Sequence, residues 1–242
     1  GTNCGLIGKN AAVVVDGIAY WMTAKGFLYY DGTVKTLPCA VEDEVFDNFD
    51  TTKGQQVTAG LNSLFTEITW WYPANSDFSN KAVSYNYAES GEVPGGVWAL
   101  STEARTSWMD SKVYEKPYAT KFDTTGTGSF PTILGESGLG QTKYFQHEVG
   151  TDQRNEDGSV TTITSSLQSY DFDLQGEEGT ASKFVSVSRF LPDFKTIAGN
   201  ATVTLAVKDF PSSTESSSTH SPFTVTSSTT KIDTRARGRF VN

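Results

Sequence analysis

Histidine, cysteine and methionine are scarce in this sequence, two of each among 242 residues. His147 and His220 lie far apart, and Cys4 and Cys39 form no CxxC pair, so the spacing that a zinc site needs is missing. Two cysteines are also too few for a disulfide scaffold. A Cys4–Cys39 bridge stays open, and two free thiols are the simpler reading. Long apolar runs are missing too. The longest, residues 11–15, is stopped by Asp16 and Gly17, well short of the ~20 residues that cross a bilayer as a helix, so no membrane span is expected. The start carries no basic stretch followed by an apolar one, and a first residue that is Gly1 rather than Met reads as a processed end or as the start of a fragment. Basic charge is in deficit: 19 Lys and Arg face 28 Asp and Glu, a net charge of -9. Such a field repels polyanions and speaks against a general DNA-wrapping or anionic-membrane-binding protein. It leaves room for a protein that handles DNA by not gripping it.

The chain is 37% hydrophobic and 12% aromatic, too rich for a disordered segment, and its length suits one large or two small domains. Windows with a helical repeat are few, whereas period-two runs recur throughout, so the fold class expected is all-β. Residues 17–22, 26–30 and 33–37 read as strands, with Asp31-Gly32 as the tight turn of a hairpin. Residues 41–50, with Glu42, Asp43, Glu44, Asp47 and Asp50, are a short helix or an acidic loop. A second unit follows the same grammar, with strands at 64–72, 81–87 and 97–100 leading to 105–108. A weaker third runs from Tyr114 through 118–122, across a Gly-rich loop at 126–140, to 143–149. Aromatic-rich antiparallel strands in successive units of this size predict β-propeller-like blades over residues 1–155; since three blades do not close a ring, they are expected to be part of a larger propeller or else to form an open β stack. After the turn at 155–158 the composition shifts to Ser and Thr, and residues 156–242 are expected to form a β-sheet or sandwich region. Its strands are expected at 160–167, 169–174, 183–190, 201–207, 223–226 and 229–241, and the segment 211–222 (PSSTESSSTHSP) reads as a flexible connection.

Catalytic signatures fail residue by residue. Gly135-Glu136-Ser137-Gly138 lacks the G-x-S-x-G spacing of a nucleophile elbow, and no phosphate-binding loop of the G-x-x-x-x-G-K type is present. His147 and Glu148 are neighbours at a strand end, where adjacent side chains point to opposite faces, so a hydrogen-bonded structural histidine is expected rather than a base with its carboxylate. Asp171, Asp173, Glu177 and Glu178 are read as solvated carboxylates, since the distal Glu of a calcium loop is missing. No catalytic residue, metal or cofactor is expected.

Two features remain. Tyr20-Trp21 and Trp70-Trp71-Tyr72 suit a core or an interface better than a sugar platform, with one of Trp70 and Trp71 buried and the other packed on a neighbouring unit or subunit. At the far end, period two places Arg235, Arg237 and Arg239 on one strand face and Thr234, Ala236, Gly238 and Phe240 on the other. A basic ladder in an acidic chain needs partners. Carboxylates of an adjacent subunit come first, protection of an edge strand second and phosphates third.

The order of Trp70-Trp71-Tyr72-Pro73, Tyr85-Asn86-Tyr87, residues 104–108 (ARTSW), 147–152 (HEVGTD), 189–194 (RFLPDF) and 235–239 (RARGR) resembles the C-terminal part of a protein family of short-tailed bacteriophages. That family is called tail nozzle, tail tubular protein B or packaged-DNA stabilisation protein. The resemblance spans nearly the whole chain, and family members are longer, with more propeller sequence upstream. It implies a structural virion protein in the phage tail, a homohexameric tube that contacts adaptor and fibre or tip proteins, retains packaged DNA and conducts it during ejection. Double-stranded DNA would pass without sequence-specific binding. The acidic residues Glu42, Asp43, Glu44, Asp47 and Asp50 would then face the channel or a neighbouring subunit, and the arginine ladder would brace subunits. The alternatives are a carbohydrate-binding or glycan-cleaving β-propeller and a secreted adhesin with oxidised cysteines.

Overall fold

The computed structural model describes residues 4–112, 114–123, 141–154, 159–169, 184–210 and 218–241. The protein is all-β, its strands gathered into several antiparallel sheets with no closed barrel among the described residues. The chain divides into two compact units, Gly1–Gln153 and Arg154–Asn242.

The first unit is built from three sheets, each made of strands adjacent in sequence. Sheet one runs β1 (Ala12–Val15), β2 (Ile18–Met22), β3 (Phe27–Tyr30) and β4 (Val34–Leu37), in that order. The hairpin expected at Asp31-Gly32 is present and joins β3 to β4, and a second turn, of two residues, lies at Asp16-Gly17. Val15 pairs with Ile18, and both turn residues have positive φ, 52° and 81°, as a hairpin of this hand requires. Asp31-Gly32-Thr33 is a three-residue loop instead, in which only Gly32 takes a positive φ. The apolar run at 11–15 is thus the strand that completes the sheet. Next comes α1 (Glu42–Phe46), the α-helix among the described residues, followed by a tight helical turn over Thr51–Gln56 whose first turn is capped by the Asp50 carboxylate on the Thr52 amide.

Sheet two runs β5 (Thr58–Asn62), β6 (Glu67–Tyr72), β7 (Lys81–Asn86) and β8 (Trp98–Ser101). The expected strand 64–72 starts later, because residues 63–66 turn the chain back from β5, with Thr66 at a φ of 57°. Strand β5 carries Gly60 and few bulky apolar residues, which hid it from the alternation signal. Sheet three is β9 (Ser107–Met109), β10 (Tyr118–Asp123) and β11 (Gln141–Gln146), with β10 in the middle.

The first strands of the three sheets lie side by side. Asn10 bridges Thr58, the Ala59 amide donates to the Asn10 carbonyl at 2.7 Å, and the Thr58 hydroxyl donates to the Thr106 carbonyl at 3.2 Å. Sheet faces therefore meet in series. Between sheets one and two lies the main core: Met22, Phe27, Ile68, Trp70, Tyr72 and Val83, closed over by Val45 of α1. Phe27 sits 4.9 Å from Trp70 and 4.9 Å from Trp98, ring centre to ring centre, and burying such rings is the main stabilising term available to a sheet pair.

A short pair is formed by β12 (Asp152–Arg154) and β13 (Val160–Thr162), so the strand expected at 160–167 stops early. The second unit has two layers. One is β14 (Val185–Phe190) paired with β17 (Ile232–Gly238). The other is β15 (Ala201–Lys208) between β16 (Ser218–Val225) and β18 (Phe240–Val241). Leu205, Val207, Ala236 and Val241 form the core between them, with Val187 against it. The expected connection 211–222 is partly strand: His220 pairs with Leu205 and Thr219 with Ala206. Backbone pairing along an edge strand needs no apolar side chain, and the ladder slips between Val203 and Leu205, which accommodates Pro222. The expected strand 169–174, the Gly-rich loop 126–140 with the Gly135–Gly138 stretch, the turn at 155–158, and Asp171, Asp173, Glu177 and Glu178 lie outside the described residues.

Candidate functional site

The densest polar cluster sits between sheets two and three. The loop after β8 brings in Glu103 and Arg105, and the residue after β11 is His147, whose amide donates to the Pro117 carbonyl at 2.9 Å. The Arg105 guanidinium donates through Nε to His147 Nε2 at 2.8 Å, through Nη1 to the Ala104 carbonyl at 2.6 Å and through Nη2 to Glu103 Oε1 at 2.7 Å. Its carbon lies 4.2 Å above the Phe145 ring, a cation held by charge, hydrogen bonds and a ring face at once. Because Nε2 of His147 accepts a hydrogen bond, the ring proton is on Nδ1, which faces Glu103 Oε1 at 3.6 Å. Burial, and then the Arg105 charge, push the His147 pKa down to about 4. This imidazole is neutral at neutral pH, and its one basic nitrogen is already occupied. It cannot take a proton from a substrate without losing Arg105.

Glu148 does not share that role. Its φ is 59°, and its carboxylate accepts from Asn62 Nδ2 at 3.0 Å; both residues lie beyond the end of β11, so it is this left-handed backbone and not strand alternation that sends the two neighbours to different partners. Glu67 has a raised pKa, through burial first and the nearby Glu148 second. Asp110 accepts from the Ser63 amide and hydroxyl at 3.0 and 2.9 Å. These contacts tie sheet three to sheet two. The whole cluster is a structural junction.

The aromatic pair follows the period of two. Trp70 enters the core between sheets one and two and donates to the Ala11 carbonyl at 3.1 Å, while Trp71 turns to sheet three and stacks on Trp108. Tyr72 faces the same way as Trp70 and is buried beside Phe49. Trp21 donates to the Cys4 carbonyl at 3.2 Å. Neither cysteine is bridged: Cys4 is exposed and Cys39 half-buried.

The acidic residues divide. Glu44 pairs with Lys81 at 3.0 Å, and Asp50 caps the turn after α1 and lies 3.5 Å from Lys53. Glu42, Asp43 and Asp47 are exposed and make no ion pair among the described residues. The arginines divide as well. Arg235 and Arg237 stand exposed on β17, opposite the inward-facing Ala236. Arg239 does not continue the ladder, because β17 ends at Gly238. Its amide donates to the Lys208 carbonyl at 2.9 Å and its half-buried guanidinium lies over two phenylalanines, Phe184 at 5.2 Å and Phe210 at 5.5 Å. Arg237 lies over Phe184 as well, at 4.9 Å.

One surface went unread in the sequence. Tyr118 stacks on Tyr144 at 5.4 Å and 21°, and Tyr114 meets Tyr118 edge to face at 5.4 Å. Tyr144 and Tyr114 are 67% and 51% exposed, and Gln146 Nε2 donates to the Tyr118 hydroxyl at 3.1 Å. The three tyrosines come from two strands and a loop, so no local spacing announced them. The same is true of Glu103 and Arg105 meeting His147.

Among the described residues, no three His, Cys, Asp or Glu side chains converge in the manner of a metal site, and no helix is long and apolar enough to cross a membrane. No protein-family model matches the chain, and no curated protein matches it.

Proposed function

We propose that this chain is a structural protein of a short-tailed phage virion, part of the nozzle wall that retains packaged DNA and conducts it during ejection. The observation that carries the reading is the serial stacking of meander sheets with their first strands side by side, an arrangement that propeller-like blades would share. The groups with most chemical potential are used as fasteners: Arg105, His147 and Glu103 lock two sheets together, and Trp70 and Trp71 are spent on packing. Eighteen of the 28 acidic side chains but only ten of the 19 basic ones fall in the first unit. A wall of that charge releases few counterions to a passing duplex and grips it weakly. The resemblance in the aromatic and arginine motifs supplies the assembly, a homohexamer contacting adaptor and fibre or tip proteins. Electron microscopy of the full-length protein tests this. A closed six-fold ring with a lumen wide enough for duplex DNA supports the nozzle reading, and a monomer at high concentration removes it.

One observation favours a second reading, a carbohydrate-binding protein. The exposed Tyr114, Tyr118 and Tyr144 with Gln146 beside them offer ring faces and an amide, the pairing that sugar rings use. A saturable change in intrinsic fluorescence on titration with oligosaccharides, lost in Tyr144→Ala, would support it. An unchanged signal across neutral and acidic glycans would remove it.

A further inference from the structure

The outward face of the β14 and β17 pair is predominantly basic. Antiparallel pairing puts Arg237 opposite Ser186 and Asp233 opposite Arg189. Asp233 holds Arg189 at 2.8 Å and Lys231 at 3.2 Å, so this one carboxylate is shared between two cations. Arg235, Arg237 and Arg239 make no ion pair among the described residues. Two exposed rings stand beside them, Phe184 at 48% and Phe210 at 58%. The Nε of Arg239 is buried and has no hydrogen-bond partner among the described residues. An unpaired buried donor next to exposed rings and unpaired guanidinium groups marks a surface that lacks its partner.

We propose that this face docks the acidic helix α1 of a second copy of the chain. The two surfaces match in charge and in spacing. Residues 42–50 carry five carboxylates and no basic side chain, of which Glu42, Asp43 and Asp47 remain unpaired among the described residues. Asp43 and Asp47 are one helical turn apart, the Asp47 amide donating to the Asp43 carbonyl at 2.9 Å, which sets their Cβ atoms about 5–6 Å apart. Arg235 and Arg237, two residues apart on a strand, stand about 6.7 Å apart, so two guanidinium groups meet two carboxylates in register. The phenylalanines decide between a protein and DNA. Duplex DNA presents phosphates along its outside and would leave Phe184 and Phe210 wet, while a protein surface covers them. The contact joins different patches on the two copies, so it can propagate around a ring. It stands on these two surfaces and not on the nozzle reading: charge-dependent association without a DNA-wide ring would keep it and remove the nozzle, and a ring insensitive to these charges would do the reverse.

The test is sedimentation velocity on the full chain at low salt, for the wild type, for Arg235→Glu with Arg237→Glu, for Asp43→Lys with Asp47→Lys, and for an equimolar mixture of the two variants. The wild type should associate, each variant should weaken association at least ~10-fold, and the mixture should recover it, because each variant keeps the surface the other has lost. All four positions are exposed, and near-ultraviolet circular dichroism reports whether each variant is folded. The neutral pair Arg237→Gln and Asp43→Asn repeats the test where a charge reversal unfolds the chain. A monomeric wild type, a variant that associates as the wild type does, or a mixture that stays apart overturns the proposal. So does saturable, salt-sensitive binding of a short DNA duplex that Arg235→Glu with Arg237→Glu abolishes in a chain that does not self-associate.

Discussion

Trp71 and Trp108 stack across the junction of the second and third sheets, ring centres 5.1 Å apart and planes inclined by 30°. Each ring is also anchored at its nitrogen, Trp71 to Glu103 Oε2 at 3.4 Å and Trp108 to the Leu61 carbonyl at 2.7 Å. Trp71 is 1% exposed, so Trp71→Ala removes a large buried ring and strips Trp108 of its partner. The expected loss is about 3–5 kcal/mol of unfolding free energy. Urea denaturation checks it, and a loss below ~1 kcal/mol would show that sheet three is not held through this stack.

Gly60 makes the stack possible. A Cβ at this position would sit 2.6 Å from two atoms of the Trp108 ring, which is closer than van der Waals contact allows. Gly60→Ala should therefore cost about 1–3 kcal/mol, although alanine is no worse than glycine for a strand in general. If the variant is as stable as the wild type in thermal melts, the close approach of β5 and Trp108 is not maintained in solution.

Acid should act on the fold through His147. Its folded pKa of about 4 lies below the ordinary 6.5, so between those values the unfolded chain binds a proton that the folded chain refuses. Stability from this group is complete above pH 6.5 and is lost as the pH falls toward 4, by about 3 kcal/mol in all. Glu67, with its raised pKa, acts in the opposite sense. His147→Gln keeps an acceptor for Arg105 and does not titrate. Urea midpoints at pH 7.5 and 4.5 should fall further in the wild type than in His147→Gln, with Glu67 cancelling between them. Equal falls would mean that His147 is not held neutral.

The two thiols should differ in reactivity. Burial pushes Cys39 up to about 11, leaving little thiolate at pH 8, whereas Cys4 is exposed. Alkylation of the native protein should modify Cys4 at least ~10-fold faster than Cys39, and peptide mapping by mass spectrometry reads the ratio. Equal rates would place Cys39 in a more open site.

The all-β class was legible because strands leave a period-two trace, and the alternation of Trp70 and Trp71 correctly sent them to opposite faces. The hairpin at 31–33 was legible from its Asp-Gly, but the same dipeptide stands at 16–17, 31–32 and 157–158, and only the distance to the next strand tells a two-residue turn from a three-residue loop. Residues 218–222 of β16 read as a connection because their Ser and Thr carry no apolar signal, while their backbone is satisfied by pairing. The ladder of arginines was visible up to Arg237. Arg239 departs because a break between β17 and β18 follows from the contact with Lys208, which lies outside any local window. The partners of His147 and the tyrosine trio depend on strands meeting in space, and no spacing in the chain encodes that.

The pairing of β14 with β17 bears on how the chain is made. In the first unit every ladder within a sheet joins strands that follow one another, so each sheet can form as it leaves the ribosome. The second unit is different: β14 is synthesised early but finds its partner on the far side of β15 and β16, and Ala236 and Val241 complete the core only at the end. A nascent chain that stops at residue 225 would leave β14 without its partner strand, with Leu205 and Val207 uncovered. Unpaired strand edges of that kind invite association with other chains, so the second unit is protected only once β17 and β18 have been made.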